Sequence, residues 1–347
     1  MSRCYVNITL CIGLFVGFAC FEPASLQAQD PQFSQFFATR IYMNPAFAGN
    51  THFGRFSTHL RRQWPALQGY TSSGMYYDQS LPAINSGIGI SLFQDRHGGG
   101  GVVSNKYSGY YSYRFNATRK LSVKFGIAGS YNSFNINLGR FTFTDQLISG
   151  ASSTSDDFRF DRLQYFDVNT GLVAFTERYW GGISLSNLNN FSRVLDNPFP
   201  VKLSVHGGLL IPINKDIKGE FLKNVTIAAQ YKTQQDFDQF DIGVYYGYSV
   251  VLVGIWYRGL LGLKDNVTTV TNQDAVILVA GLQFGAFRMS YSYDISASTL
   301  HTYSYGAHEV SLQVELWRNF NYKKKRFSRR NVPCPNFGGP GWQTNKD

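Results

Sequence analysis

The feature that most constrains this chain is a two-residue alternation of apolar and polar side chains that recurs along most of its length. In GAFRMSYSYD, residues 285–294, every second residue from Phe287 onward is apolar or aromatic, and the residues between them are polar or charged. Successive side chains of a β-strand point to opposite faces, so the pattern predicts strands with one apolar and one polar face. A soluble sheet with one face in water would show it too, so the length and number of segments must decide.

There are about fourteen alternating segments, and most have the roughly 9 to 12 residues of a tilted membrane strand. An even number is typical of a bacterial outer-membrane barrel. We therefore predict an all-β fold: a transmembrane, antiparallel, up-and-down outer-membrane β-barrel of about 14 strands over residues 55–320. The predicted strands are 55–63, 70–79, 85–94, 102–116, 120–136, 164–176, 179–187, 201–212, 222–233, 238–249, 250–258, 275–285, 287–295 and 306–317.

The links between these segments also alternate in length. Those after even-numbered segments are short, and those after odd-numbered segments include four long ones: 137–163, 188–200, 259–274 and 296–305. Outer-membrane barrels have short periplasmic turns and longer outer loops, whereas a soluble sandwich gives no reason for the difference. The longest apolar runs after residue 28, at 250–257 and 275–282, fall far short of the roughly 20 residues of a membrane-spanning helix.

Residues 1–28 have the composition of a secretory signal peptide, with a basic head and an apolar run before the small residue Ala28. Cleavage after residue 28 leaves Cys334 as the only cysteine, so no internal disulfide is expected. A lipoprotein cleavage site at Cys20 is the alternative, although Gly17 stands where such sites usually have Leu.

Aromatic residues at strand ends suit the girdles that membrane barrels place at the two bilayer interfaces. As a group, the candidates are Tyr110, Tyr111, Tyr113, Tyr245, Tyr246, Tyr248, Tyr291 and Tyr293.

Basic residues are concentrated at the C-terminus. The formal net charge is +10, and residues 321–347 hold seven Lys or Arg against one Asp, a net of about +6. With the first strand rising from the periplasm and an even strand number, both termini are predicted to be periplasmic. This tail then has anionic headgroups or an acidic periplasmic protein as partners, and a solvated tail with no partner is the alternative. The candidate contact residues are Lys323, Lys324, Lys325, Arg326, Arg329 and Arg330.

Signals for chemistry are weak throughout the sequence. The six His show no metal-ligand spacing, and the glycine-rich stretch at 97–101 lacks the Lys and Ser or Thr of a phosphate-binding loop. We therefore expect no enzyme activity, metal or cofactor, although a hydrolase built into the barrel around His59 or His206 remains an alternative. No nucleic-acid recognition motif accompanies the basic tail, so nucleic acid is not an expected partner.

Residues 29–54, ahead of the first predicted strand, form a candidate plug-like segment. Asn44-Pro45 favours a turn, and Gly49 tolerates a left-handed conformation, so a rigid bend is predicted over 44–49. Three residues before the bend are candidate aromatic anchors: Phe33, Phe36 and Phe37. We expect the segment to tuck into or under the periplasmic mouth of the barrel. An ordinary ordered N-terminus that helps the barrel fold is the alternative.

These N-terminal residues also carry a family resemblance, strongest over the first hundred residues. The stretches QDPQFSQFFATRIYMNPAFAGN at 29–50 and RRQWPALQGY at 61–70 closely resemble the PorP/SprF family, outer-membrane proteins of the type IX secretion system. The residues that match the family pattern, and are our candidates for binding a partner, are Asp30, Pro31, Phe33, Ser34, Gln35, Asn44, Pro45, Ala46, Phe47, Gly49, Gln63, Trp64 and Pro65.

The resemblance implies a function that composition does not show. Members support export or surface attachment of particular secreted proteins, which are adhesin-like, and they contact periplasmic components of the secretion and gliding machinery. The chain departs from the family mainly in its tail, residues 323–347. A secretion-linked barrel is therefore expected, and an outer-membrane porin or small-solute transporter is the competing hypothesis.

Overall fold

The computed structural model describes residues 33–35, 38–51, 54–67, 69–150, 162–189, 200–215, 221–234, 237–259, 275–296 and 305–316. The strands within these ranges are β1 (Arg55–Gln63), β2 (Tyr70–Leu81), β3 (Ser86–His97), β4 (Val102–Asn116), β5 (Ser122–Ile136), β6 (Arg162–Phe175), β7 (Tyr179–Ser186), β8 (Lys202–Lys215), β9 (Phe221–Gln234), β10 (Phe237–Tyr248), β11 (Val251–Arg258), β12 (Ala275–Phe284), β13 (Phe287–Ser296) and β14 (Ala307–Glu315). Each strand pairs antiparallel with its neighbours in sequence, and β1 pairs with β14, so the sheet is a closed barrel. The predicted fold class is confirmed.

Side chains alternate between the lumen and the outer surface along every well-defined strand. On β1, Arg55, Ser57 and His59 are buried inside, whereas Phe56 and Leu60 are exposed outside. The predicted strand positions agree with the observed ones within three residues, and β1 and β4 match at both ends. Agreement is good because the period-two pattern reports which residues face lipid and which face the lumen.

The outer surface carries an apolar band bounded by aromatic residues. Exposed aliphatic side chains such as Ile90 and Ile127 fill its middle, and Phe115 lies near one edge. Tyr107 lies near the other edge, in a row with Tyr131 and Phe166 on the next two strands. Tyr107 and Phe115 are eight residues apart on β4, which at ~3.3 Å per residue and ~40° tilt gives roughly 20 Å along the barrel axis. This height suits the apolar core of an outer membrane.

Two of the eight girdle candidates were wrong. Tyr110 and Tyr245 are 9% and 1% exposed and face the lumen, where the Tyr110 hydroxyl is 3.0 Å from Ser91 Oγ. Their sequence neighbours Tyr111 and Tyr246 face outward. Adjacent residues of a strand cannot share a face, so one tyrosine of each neighbouring pair had to lie inside.

The two ends of the barrel differ in their connections, as the link lengths predicted. At the short-turn end the described links are 82–85, 117–121, 176–178, 249–250 and 285–286, and here β1 begins and β14 ends. The long-loop end carries the other links. One of these, 137–161, contains a six-residue helix, Thr144–Ser149, in which Ile148 is 83% exposed. In the part of the chain that the structure describes, no helix is long and apolar enough to cross a membrane.

Candidate functional site in the barrel lumen

Part of the chain itself occupies the barrel interior. Residues 33–35 and 38–51, called here the inner segment, lie against inward-facing side chains of the wall. The segment contains one short helix, α1 (Arg40–Met43), followed by a 3-10 turn at Pro45–Phe47. Ala46 and Phe47 are 0% exposed. The barrel wall therefore packs around the segment as it would around a hydrophobic core.

Ser34 anchors the N-terminal part of the inner segment. Its backbone N–H donates to Glu309 Oε2 at 2.7 Å, and its hydroxyl donates to Asp294 Oδ2 at 2.5 Å. Glu309 pairs in register with Arg61, and both lie two residues from the long-loop ends of their strands. The inner segment therefore extends through most of the barrel height, well past the short-turn mouth.

Gln35 is held by a complete set of polar contacts. Its side-chain Nε2 donates to the Glu309 carbonyl at 3.0 Å and to Ser292 Oγ at 3.2 Å. Its Oε1 accepts from Ser290 Oγ at 2.8 Å and from Ser311 Oγ at 2.6 Å. An amide has two donors and an acceptor oxygen, so this geometry distinguishes Gln from Glu or an aliphatic residue.

Five ionisable side chains form a buried network around Ser34: two arginines, Arg61 and Arg258, and three acids, Asp241, Asp294 and Glu309. Asp294 forms ion pairs with both arginines, at 2.8 Å from Arg61 Nη2 and 3.3 Å from Arg258 Nη1. Arg258 Nε also contacts Asp241 at 3.0 Å, and Arg61 Nη1 contacts Glu309 at 3.4 Å.

The network has one more acid than base, and the inner segment compensates for this. The backbone N–H groups of Ser34 and Gln35 donate to Glu309 at 2.7 and 3.2 Å. Buried carboxylates are stable only when charges or donors satisfy them, and N–H donors to a carboxylate are among the stronger hydrogen bonds. The segment thus supplies two of the donors that satisfy Glu309.

Asn44 fixes the bend toward the short-turn end. Its Oδ1 accepts from the Ala46 N–H at 2.9 Å, which caps the 3-10 turn that Pro45 begins. Its Nδ2 donates to the carbonyls of Leu172 and Ile183 at 3.3 and 3.1 Å. One side chain therefore joins the bend to β6 and β7.

Phe47 and Ala48 complete the contact with the wall. The Phe47 ring lies 6.1 Å from Trp180 and 5.7 Å from His206. The Ala48 carbonyl accepts from Ser112 Oγ at 2.8 Å and from Lys124 Nζ at 2.7 Å. A charge-assisted bond from a buried lysine to this carbonyl holds the segment where it leaves the lumen.

Two glycines permit the close approach of the inner segment to the wall. Gly49 adopts φ +59°, and a Cβ there would overlap the backbones of Gln79 and Gly87. Gly126 on β5 faces the lumen, where a Cβ would overlap the backbone of Ala46. The wall therefore leaves room for the backbone of the inner segment at the bend.

The candidate residues Gln63, Trp64 and Pro65 lie at the opposite end of the barrel, where β1 meets its long-loop link. Trp64 adopts φ +54° and donates its N–H to the Gly306 carbonyl at 2.8 Å. Its ring packs edge-on against Tyr70, with centroids 5.6 Å apart. These three residues shape the β1–β2 link and do not join the residues of the bend.

The structure thus divides the sequence-predicted residues into groups. Phe33, Ser34 and Gln35 contact the ionic network, and a second group at the short-turn end comprises Asn44, Pro45, Ala46, Phe47 and Gly49. Asp30 and Pro31 lie outside the described residues, as do Lys323, Lys324, Lys325, Arg326, Arg329 and Arg330.

The lumen partners of these groups were not identified as site residues from the sequence. Arg61 and Glu309 occupy the polar faces of alternating strands, which is the signal that could have found them. Arg258 lacks this signal, because the inward face of β11 also carries the buried apolar residues Leu252 and Trp256. Across the described residues, no group of three or more His, Cys, Asp or Glu side chains has the arrangement of a metal site.

Several solved outer-membrane proteins resemble this chain, and no curated protein matches it. The toluene transporter TbuX of Ralstonia pickettii has 10% sequence identity and a TM-score of 0.44, covering 80% of this chain and 93% of its own. The outer membrane protein Omp33 of Acinetobacter baumannii has 7% identity and a TM-score of 0.46, covering 77% of this chain and 99% of its own.

The sequence comparison with protein families is more informative. A family model described as type IX secretion system membrane protein PorP/SprF matches residues 25–314, which include the inner segment and the described strands almost to the end of β14. A closed barrel with an apolar outer band is the form in which a sheet crosses the outer membrane. The chain belongs to the PorP/SprF family of type IX secretion system membrane proteins.

Proposed function

We propose that this outer-membrane barrel supports export or surface attachment of a specific secreted, adhesin-like protein by the type IX system, and that it has no catalytic role. The observation that carries the proposal is the occupied lumen. Ser34 and Gln35 are tied to buried charges, and Phe47 is fully enclosed. A barrel filled in this way suits a docking scaffold better than a route for solutes.

The proposal includes an orientation. Periplasmic turns of outer-membrane barrels are short, so the short-turn end, where β1 begins and β14 ends, faces the periplasm. The inner segment then runs through the lumen from Ser34, near the outer rim, to Gly49 at the periplasmic end. The basic side chains of residues 321–347, which follow β14 in the sequence, are the proposed contact for periplasmic secretion and gliding components.

The long-loop end then faces the cell exterior, where a secreted protein would be held. Its link 137–161 is braced against the glycine-rich turn at 98–101, because Arg140 Nη1 donates to the Gly99 carbonyl at 2.6 Å. The helix on this link presents Leu147 and Ile148 to solvent. Exposed apolar side chains on an ordered loop are typical of contact surfaces for other proteins.

The decisive experiment compares the surface proteins of a deletion strain with those of the same strain carrying the wild-type gene. We expect one or a few secreted proteins to disappear from the surface and to return on complementation. Those proteins should also co-purify with the barrel from detergent-solubilised outer membrane. An unchanged surface proteome, or co-purification of abundant porins alone, contradicts the proposal.

A porin or solute transporter is the second candidate, favoured only by the 14-strand barrel itself. It predicts steady conductance in planar bilayers and a growth defect on one solute after deletion. The secretion scaffold predicts poor conductance, because the inner segment blocks the lumen at Phe47 and again at Ser34.

A further inference from the structure

The outward faces of eight adjoining strands carry positive charge without any acid. On β1–β6, β13 and β14, the outward-facing charged residues are Arg62, Arg96 and Arg162. The acids of the same strands lie on the lumen side: Asp78, Asp95, Asp167, Asp294, Glu309 and Glu315. Charge on this outer surface is therefore segregated by sign and not scattered.

Arg62 and Arg96 lie in one row across three strands. Arg62 pairs with Thr71, and Thr71 pairs with Arg96. Two interstrand steps of ~4.8 Å place their Cα atoms roughly 10 Å apart on the same face. Both side chains are exposed, so an anion lying over Thr71 would have one arginine on each side.

Neither arginine is neutralised by an acid within the part of the chain that the structure describes. Arg96 Nε donates to Gln94 Oε1 at 2.8 Å, which orients the guanidinium, and no bond from its Nη groups is formed among the described residues. No ion pair joins Arg62 or Arg96 to an acid of the described residues. An oriented guanidinium with free Nη donors is suited to bidentate binding of a phosphate.

The row lies at the upper edge of the apolar band. Toward the middle of the band, the next outward-facing residue on β1 is Leu60, and on β3 Gln94 and then Leu92 follow; both leucines are exposed. Beside Arg62 on β14 is His308, whose ring lies tilted against Tyr293 with centroids 4.9 Å apart. Its Nδ1 lies 2.7 Å from the Tyr291 hydroxyl. Tyrosines of this kind mark the interface between acyl chains and headgroups in membrane proteins.

We propose that Arg62 and Arg96, with Thr71 and Gln94 between and below them, bind the phosphate of a lipid headgroup at the long-loop rim of the barrel. The phosphate lies over Thr71, and the acyl chains run along the apolar surface beneath it. The absence of acids from this outer surface favours an anion over a divalent cation. In the orientation proposed above, the lipid belongs to the outer leaflet, where phosphorylated lipid A provides this headgroup.

The test titrates the purified full-length barrel in detergent with diphosphorylated lipid A and measures bound lipid by native mass spectrometry. The double variant Arg62→Gln, Arg96→Gln should bind it about tenfold more weakly than wild type. The matched control is Arg119→Gln, Lys120→Gln, which removes the same charge from the exposed short-turn end. It should bind like wild type. Heat-dependent gel mobility verifies that each variant is a folded barrel.

Two further ligands separate the sources of phosphate. Lipid A with its phosphates removed should bind wild type and the double variant equally weakly. Inorganic phosphate at a concentration about a hundredfold above that of the lipid should not displace the lipid, because the acyl chains supply part of the lipid's affinity. Equal lipid A binding by wild type and the double variant overturns the proposal, and full competition by inorganic phosphate overturns its assignment to a lipid.

Discussion

Arg61 on β1 and Asp294 on β13 form an ion pair of 2.8 Å although β14 lies between their strands. The two side chains meet across β14, near Glu309. The Ser34 hydroxyl joins them, because it accepts from Arg61 Nη1 at 2.7 Å and donates to Asp294 at 2.5 Å. The seam at which the barrel closes is therefore bridged from the inside by the inner segment.

Arg61→Met should destabilise the folded barrel by about 3 to 5 kcal/mol, because it leaves buried carboxylates with one arginine in place of two. Urea unfolding in lipid vesicles, followed by tryptophan fluorescence, measures the free energy of unfolding. The control is the double variant Arg61→Met, Asp294→Leu, which removes one charge of each sign and should recover at least half of the loss. A single variant within about 1 kcal/mol of wild type would show that the network is not stabilising.

Gly126→Val should displace the bend from the lumen while the barrel still forms. The new side chain occupies the space of the Ala46 backbone, yet inward-facing positions of a barrel normally carry side chains. Gly129→Val on the same strand is the control, since a Cβ there meets no atom within 4 Å. Conductance in planar bilayers should rise several-fold for the first variant only. Similar conductance of both variants counts against a lumen blocked by the inner segment.

Asn44 provides a comparison of two small changes. Asn44→Ala removes the cap on the Ala46 N–H and the bonds to the carbonyls of Leu172 and Ile183, at a cost of about 1 to 3 kcal/mol. Asn44→Asp keeps the cap acceptor but sets a carboxylate against two carbonyl oxygens, so it should be less stable than Asn44→Ala. Urea unfolding midpoints rank the variants, and the reverse order would mean that the cap matters more than the amide donor.

Orientation is testable on intact cells with a thiol reagent that does not cross the outer membrane. In a Cys334→Ser background, Ile148→Cys on the long-loop end should react, and Arg119→Cys on the short-turn end should react only after lysis. Both positions are solvent-exposed, so unequal reaction reports the side of the membrane. Reaction of Arg119→Cys on intact cells would reverse the proposed topology, and so would reaction of Cys334 in the protein without these substitutions.

Removal of residues 323–347 should leave a folded barrel, because β14 ends at Glu315 and closes on β1 without them. If the tail binds an acidic periplasmic partner, the truncated protein loses it, and the intact complex weakens between low and high salt. Pull-downs of both proteins at two salt concentrations measure this. Equal, salt-insensitive recovery of periplasmic proteins would indicate a solvated tail.

The sequence predicted the barrel well because each strand has its own alternation of apolar and polar residues. The alternation at 102–116 defines β4 without reference to any other strand. The contacts in the lumen have no such local signal. Ser34 contacts Glu309 and Asp294, which lie 275 and 260 residues away in the sequence. The two-residue alternation shows which residues face inward, but not which of them contact each other. The depth that the inner segment reaches was therefore not predictable from its motif.

The carboxylates that Ser34 contacts lie on the last two strands of the barrel. Wall formation from β1 onward leaves Ser34 and Gln35 without their carboxylate and serine partners until β13 and β14 arrive, the pairs most distant in sequence. Before these strands are in place, the inner segment therefore lacks some of its hydrogen-bond partners. It gains them with the strands that close the seam. A barrel without β14 would therefore lose Glu309 and Ser311, two of the groups that hold the inner segment, together with the seam.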